Sequence, residues 1–198
     1  MIATIVLAAG ASTRMGRQKL TLPMADGRPI VRVSVEQVLA AGLDDAVVVL
    51  GREAEAVAEA LRGLPVRTVL NPRYAEGQST SLRVGLDALR AGTDAALVAL
   101  GDQPLPDPDV IRRLVAAFRT TGRPIAAPVY LDGRGNPVLF AAEVFEELRA
   151  VTGDRGARDV IARDPARVAE VRVDAPMPAD IDTPEDYRTA RGGARPDA

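Results

Sequence analysis

Apolar runs of strand length alternate along this chain with stretches whose apolar residues recur at helical spacing. The runs Thr4–Ala8, Ala46–Leu50, Val66–Leu70, Ala95–Leu100, Ile125–Val129, Val138–Phe140 and Val168–Val173 are short and bounded by polar or Gly-containing segments, which predicts strands. Between them the spacing predicts helices over about Ile30–Ala41, Ala54–Arg62, Ser79–Ala91, Pro108–Thr120, Ala142–Val151 and Ala157–Arg163. "VRVSVEQVLAAG" and "VIRRLVAAF" space their apolar residues three and four apart, as a helix with one buried face requires. "AVVVL" and "AALVAL" are apolar throughout, as strands covered on both faces must be. The alternation predicts an α/β sandwich whose sheet is parallel in its first half.

Helix starts sharpen this reading. Asp107 with Pro108, and Thr183 with Pro184 and Asp186 at the capping-box offset, each carry the chemistry of a first turn. "GQSTSL" places hydroxyls at the start of another helix. The C-terminal "RGGARPDA" reads as a flexible tail, so residues 192–198 are expected to lie outside one domain of residues 1–191.

In an open parallel sheet ligands bind beyond the carboxyl ends of the strands. Three polar loops fall at those ends: "GASTRMGRQK" after the first strand, "NPRYAEGQSTS" after the third and "GDQP" after the fourth. Their shared edge matters more than any one of them.

Composition narrows the chemistry. The 198 residues contain no histidine and no cysteine. Ser–His and Cys–His nucleophiles, and metal sites built on those residues, are therefore excluded. What remains is carboxylates, cations, backbone amides and a hard metal ion. A net charge of −2 and 3% aromatic residues lack the basic excess and stacking surface of a nucleic-acid binder. The N-terminus has neither a basic n-region nor an apolar run of membrane length, which predicts a cytoplasmic protein with no membrane partner.

Among 25 cationic residues Lys19 is the single lysine, and it stands in the most site-like loop. That loop has neither the P-loop spacing nor a dinucleotide fingerprint. Read alone it is equally a polar strand-to-helix connection. Read as a site, small residues at Ala8, Ala9, Gly10 and Ala11 admit a ligand to the backbone, and Arg14 and Lys19 hold phosphate oxygens. Asp102 in "GDQP" is either a turn residue or a ligand of Mg²⁺, and Asp180 and Asp182 supply further carboxylates. Asp182 joins Asp102 only if the chain's end folds back to that edge, and Asp186 is read as a structural cap. The glycines beside Arg155 and Arg158 in "GDRGARD" form either an anion-binding turn or an exposed one.

"VLAAGASTRMGRQKL", "GDQP", "GNPVLF", "GDRGAR" and "DIDTPEDY" occur in that order. Together they resemble the MobA-like nucleotidyltransferases, most closely the molybdenum cofactor cytidylyltransferases of MocA type, over nearly the whole chain. The resemblance implies a Rossmann-like three-layer α/β/α fold of the nucleotide-diphospho-sugar transferase kind. It implies a Mg²⁺-dependent enzyme that takes CTP and the molybdopterin cofactor as partners, transfers CMP and releases pyrophosphate, with a transient contact to a recipient molybdoenzyme. On that basis Leu7, Ala8, Ala9, Gly10 and Ala11 lie against the nucleotide, together with Ser79 and Ser81. Arg14 and Lys19 lie on the triphosphate, Asp102 is the principal Mg²⁺ ligand and Asp182 the second, and Asn136, Arg155 and Arg158 face the acceptor. "LAAG" at Leu7–Gly10, where guanylyltransferase relatives show "LAGG", tilts the base toward cytosine. Asn136 departs from the pattern, since many cytidylyltransferase relatives carry His there. The rivals are a nucleotidyltransferase of the same fold with GTP or another acceptor, and a non-catalytic protein that binds and inserts the cofactor.

Overall fold

In the computed structural model, which describes residues 1–10, 15, 18–104 and 107–192 (Arg155 by its backbone alone), the alternating pattern folds into one sheet with helices on both faces. The strands are β1 (Ile2–Ala8), β2 (Asp45–Leu50), β3 (Arg67–Leu70), β4 (Ala95–Leu100), β5 (Ile125–Tyr130), β6 (Gly133–Arg134), β7 (Val138–Ala141) and β8 (Val168–Arg172). The helices are α1 (Ile30–Leu39), α2 (Ala54–Ala60), α3 (Gln78–Asp87), α4 (Pro108–Thr121), α5 (Phe145–Arg149), α6 (Arg158–Arg163) and α7 (Pro184–Gly192).

The strand order is β3-β2-β1-β4-β7-β5-β6, with β8 beside β5. β1 runs parallel to β2 and β4, and β2 parallel to β3. β7 is antiparallel to both of its neighbours, whereas β5 and β8 are parallel. The first half is thus parallel, as the sequence predicts. Two details differ. β6 is a two-residue strand paired with the end of β5, too short to show alternation. The predicted Ala142–Val151 helix opens as a 3-10 turn at Ala142–Val144 and is α-helical only over Phe145–Arg149.

Strand side chains alternate between two cores. Val6 and Ala8 of β1 and Val48 and Leu50 of β2 pack with α1, α2 and α4, including Val31, Val57 and Ile111. Ile5 of β1 and Val47 and Val49 of β2 pack on the other face with Leu82 and Leu86 of α3, Leu148 of α5 and Val160 of α6. Each Val, Leu or Ile among them, fully buried, contributes about 1.5–3 kcal/mol of apolar transfer energy. The result is a three-layer α/β/α sandwich.

The chain builds β1, β2 and β3 outward in one direction and then crosses back to lay β4 on the other side of β1. The order therefore reverses between β1 and β4. That reversal opens a crevice at the carboxyl ends of these two strands, the place where open α/β sheets bind ligands.

Candidate active site

A cavity of about 470 Å³ occupies this crevice. Its floor is the end of β1, Leu7 to Gly10, together with Leu100 at the end of β4. Lys19, Asp102 and Asp182 line the cavity, as do Gln78 and Ser81 of α3.

Lys19 is fixed by its neighbour. The Gln18 side chain donates from Nε2 to the Arg52 carbonyl at 2.8 Å and accepts from the Leu20 amide at 3.3 Å, tying this loop to the turn after β2. The Lys19 Nζ lies 2.7 Å from Asp102 Oδ2 and 2.7 Å from Asp182 Oδ1. Its side chain is only 8% exposed. Burial alone would lower the ammonium's pKa, but the Asp102 carboxylate, and after it Asp182, more than offset this and hold it above the usual lysine value.

Asp102 follows β4 through Gly101, which is clamped from two directions. The Gly101 amide donates to the Leu7 carbonyl at 2.9 Å. The Ser34 hydroxyl of α1 reaches the Gly101 carbonyl at 3.0 Å and the Ile30 carbonyl at 3.1 Å. Ser34 is fully buried, so α1 itself sets the height of the "GDQP" loop.

The end of the chain does fold back to this edge. The Ile181 amide donates to the Asp102 carbonyl at 3.3 Å, and Gln103 Nε2 donates to the Pro178 carbonyl at 3.4 Å. Asp182 is then aimed by the start of α7. Asp186 Oδ2 accepts from the Asp182 amide at 3.1 Å and from the Thr183 amide at 2.7 Å, while the Asp186 amide donates to the Thr183 hydroxyl at 3.1 Å. These bonds form a capping box, and the Thr183 hydroxyl holds the Asp186 carboxyl below the usual range. Asp180 sits at the same mouth. Although exposed as a residue, its carboxyl is held above the usual range by the packing around it and by the Asp102 charge, against a hydrogen bond from Gln103.

The far wall is α3 and the turn that docks on it. Ser81 lines the cavity, but Ser79 is buried and does not. Two positions on a helix are about 200° apart, so the two hydroxyls point to different faces of α3, and of the two it is Ser81 that meets the cavity. Asp154 Oδ1 accepts from the Gln78 amide at 3.2 Å, capping α3 from a segment 76 residues away. Gly77 (φ +112) and Gly156 (φ +53) permit that approach. A Cβ at Gly77 would lie 2.8 Å from the Gly153 carbonyl carbon, and one at Gly156 would lie 2.3 Å from Gln78 Oε1.

Arg158 lines the main cavity and also a smaller one of about 50 Å³, which contains Asn136 and is walled by apolar residues including Leu82, Val98 and Phe140. The two cavities share Leu7, Gln78 and Leu100. Asn136 is thus beside the site and not in the main cavity. Ala11, Arg14 and residues 193–198 lie outside the described residues, as does the Arg155 side chain. Sequence reasoning missed Tyr74, Gln78 and Asp154 on the cavity wall. Only the glycines flanking Asp154 signalled a close approach there.

Among the described residues no group of three or more His, Cys, Asp or Glu is poised around one point. The donor set suited to a metal is Asp102 and Asp182, whose two oxygens already converge on one cation, the Lys19 ammonium. Two carboxylates, with waters and phosphate oxygens completing the shell, suit a hard divalent ion. Among the described residues, no helix is long and apolar enough to cross a membrane.

Comparison with known proteins gives the family. The family described as "MobA-like NTP transferase domain" matches residues 4–169. Nicotine blue oxidoreductase of Paenarthrobacter nicotinovorans is 33% identical over 188 residues, covering 91% of this chain and 92% of the relative. Purine catabolism protein PucB of Bacillus subtilis is 31% identical over 199 residues, with 94% of each covered. The crystal structure of Rv0371C of Mycobacterium tuberculosis in complex with manganese superposes with a TM-score of 0.84 at 32% identity, covering 98% of this chain and 99% of that one. The matched residues span most of the chain, from β1 into β8, and the chain belongs to the MobA-like NTP transferase family.

Proposed function

We propose that this chain is a Mg²⁺-dependent cytidylyltransferase that moves CMP from CTP to the terminal phosphate of the molybdopterin cofactor and releases pyrophosphate. The observation that carries this reading is Lys19 held between Asp102 and Asp182 at the switch-point cavity, in a chain with no histidine or cysteine. The acceptor is a phosphate monoester, mostly ionised near pH 7, so it needs no general base. Its oxygen forms a bond to the α-phosphorus as the bond to the β-phosphate bridge breaks, and the electron pair leaves with pyrophosphate. Such a reaction asks for placement and charge neutralisation.

The residues fit those tasks. Asp102 and Asp182 would hold Mg²⁺, which when bound neutralises phosphate charge and helps pyrophosphate leave. Lys19 supplies a compact positive charge beside them, and Arg14 is assigned to the same triphosphate. Ala8, Ala9 and Gly10 give the nucleotide close access to the backbone, and Ala9 in "LAAG" supports cytosine over guanine. Ser81, on the cavity wall, is assigned to the base. Arg158 and Asn136, at and beyond the shared wall, are assigned with Arg155 to the acceptor.

The test is pyrophosphate release with Mg²⁺ across the four nucleoside triphosphates, with and without the pterin cofactor. Release with CTP that depends on the cofactor is expected. Dependence on GTP, or on a different phosphorylated acceptor, would replace base or acceptor. Cofactor binding with no turnover of any triphosphate would overturn the enzymatic reading.

A further inference from the structure

Beneath Ser81 lies a buried polar group that the proposed chemistry does not use. Asn71, at the end of β3, is 1% exposed, and it touches the two hydroxyls that follow each other on α3, Thr80 (7%) and Ser81 (4%). Its Nδ2 donates to Thr80 Oγ1 at 2.8 Å and to Ser81 Oγ at 2.9 Å. Its Oδ1 accepts from the Arg73 amide at 2.9 Å.

This wiring fixes which end of the amide faces the hydroxyls. The Arg73 amide can only donate, so the amide oxygen faces it. Thr80 lies 2.9 Å from the Gly77 carbonyl and 3.0 Å from the Arg73 carbonyl, and it can donate its single hydrogen to these acceptors; toward Asn71 it must accept. Both constraints put the NH₂ on the serine. A hydroxyl has one hydrogen and two lone pairs. With one lone pair of Ser81 taken by Asn71, its hydrogen is left for whatever enters the cavity that Ser81 lines.

We infer that Asn71 is a positioning residue for nucleotide recognition: it holds Ser81 so that the hydroxyl donates to an acceptor atom on the edge of the base, such as O2 or N3 of cytosine. The inference rests on the nucleotide reading of this cavity. A merely structural Asn71 would change stability alone. A positioning Asn71 changes nucleotide affinity, and does so only while Ser81 keeps its hydroxyl.

Asn71→Asp separates the two. The carboxylate keeps the Arg73 bond but loses both donors, so it captures the Ser81 hydrogen. Calorimetric titration of CTP with Mg²⁺ into the full chain should show Kd raised about five- to tenfold in Asn71→Asp and by a similar factor in Ser81→Ala. The double variant should bind no more weakly than Ser81→Ala. Asn71→Ser, which removes the amide without adding charge, should match Asn71→Asp and covers the case in which a buried carboxylate prevents folding. Kd unchanged in both Asn71 variants while Ser81→Ala weakens binding overturns the inference and leaves the proposed function standing. Additive losses in the double variant overturn it as well. A native chain that binds none of the four triphosphates overturns the proposed function and this inference together. If GTP binds in place of CTP, the same series is read with GTP, and the Asn71 assignment stands or falls on the same non-additivity.

Discussion

Lys19 and Asp182 are 163 residues apart in sequence and 2.7 Å apart in space, with Asp102 at the same distance from the ammonium. The only lysine therefore pairs with both of the carboxylates proposed above as ligands of a divalent ion. A cation bound by these oxygens and the Lys19 ammonium compete for the same charge. Lys19→Met should therefore tighten Mn²⁺ binding in the absence of nucleotide by at least about tenfold, while weakening CTP binding. Titration of Mn²⁺ followed by electron paramagnetic resonance checks the first half. Equal or weaker Mn²⁺ binding in the variant would show that Lys19 does not compete at this site.

The same contact explains why arginine should fail here. Two oxygens, each 2.7 Å from one nitrogen, suit a compact ammonium on a flexible stem. A planar guanidinium in a side chain 8% exposed needs more room and a different fork. Lys19→Arg should lose most of its transfer activity with net charge unchanged, as measured by pyrophosphate release. A rate near that of the native chain would remove the special role given to Lys19.

Asp102→Ala should reduce transfer at least ~100-fold, the scale of losing a principal charge-stabilising group, and leave the fold intact. Asp102 is reached through its backbone, from Ile181, as well as through its side chain, so the substitution removes the carboxylate without unpicking the loop. Circular dichroism and a thermal melt establish the fold, and the Mn²⁺ titration establishes the loss of the cation. Full activity in this variant would sink the metal assignment.

Much of this was legible in the chain because short-range chemistry wrote it. Apolar runs such as "AALVAL" predicted β4 at Ala95–Leu100 to the residue, and Asp107 with Pro108 predicted the start of α4. The acidic and cationic motifs marked Asp102, Asp182 and Lys19, and the structure brings them together. What was hidden depends on pairs far apart in sequence. Nothing local to Asp154 says that it caps α3 at Gln78, and nothing local to Ser34 says that it supports Gly101. The motif "GQSTSL" shows hydroxyls without saying which of them meets the cavity, because helical phase decides that; Ser81 lines it and Ser79 does not.

Ser34 offers a test of how firmly α1 sets Asp102. The Gly101 carbonyl would lose the hydroxyl 3.0 Å away in Ser34→Ala, at a cost of about 1 kcal/mol. For a chain of this size that corresponds to a fall in Tm of roughly 2–4 °C. If the hydroxyl also holds Asp102 in place, kcat should fall several-fold with KM for CTP little changed, and Ser34→Cys should restore part of it. A Tm shift with kcat untouched would leave Ser34 a packing residue only.

Asp186 gives the pH dependence its sign. Its carboxyl is held below the usual carboxylate range by the Thr183 hydroxyl and the amides of Thr183 and Asp182. A depressed carboxylate contributes stability that is fully present above the unfolded value and is lost as pH falls through the lower folded one. Asp186→Ala removes the capping box and should cost about 1 kcal/mol at pH 7. The gap between native and variant chains should persist down to about pH 5 and narrow toward pH 3, where the unfolded carboxylate takes up a proton more readily than the folded one. Urea unfolding at pH 7, 5 and 3 measures it. Because Asp186 also holds the Asp182 amide, the variant should bind Mn²⁺ more weakly at pH 7 as well. A stability gap that widens toward acid would contradict the sign, and unchanged Mn²⁺ binding would confine Asp186 to the helix start.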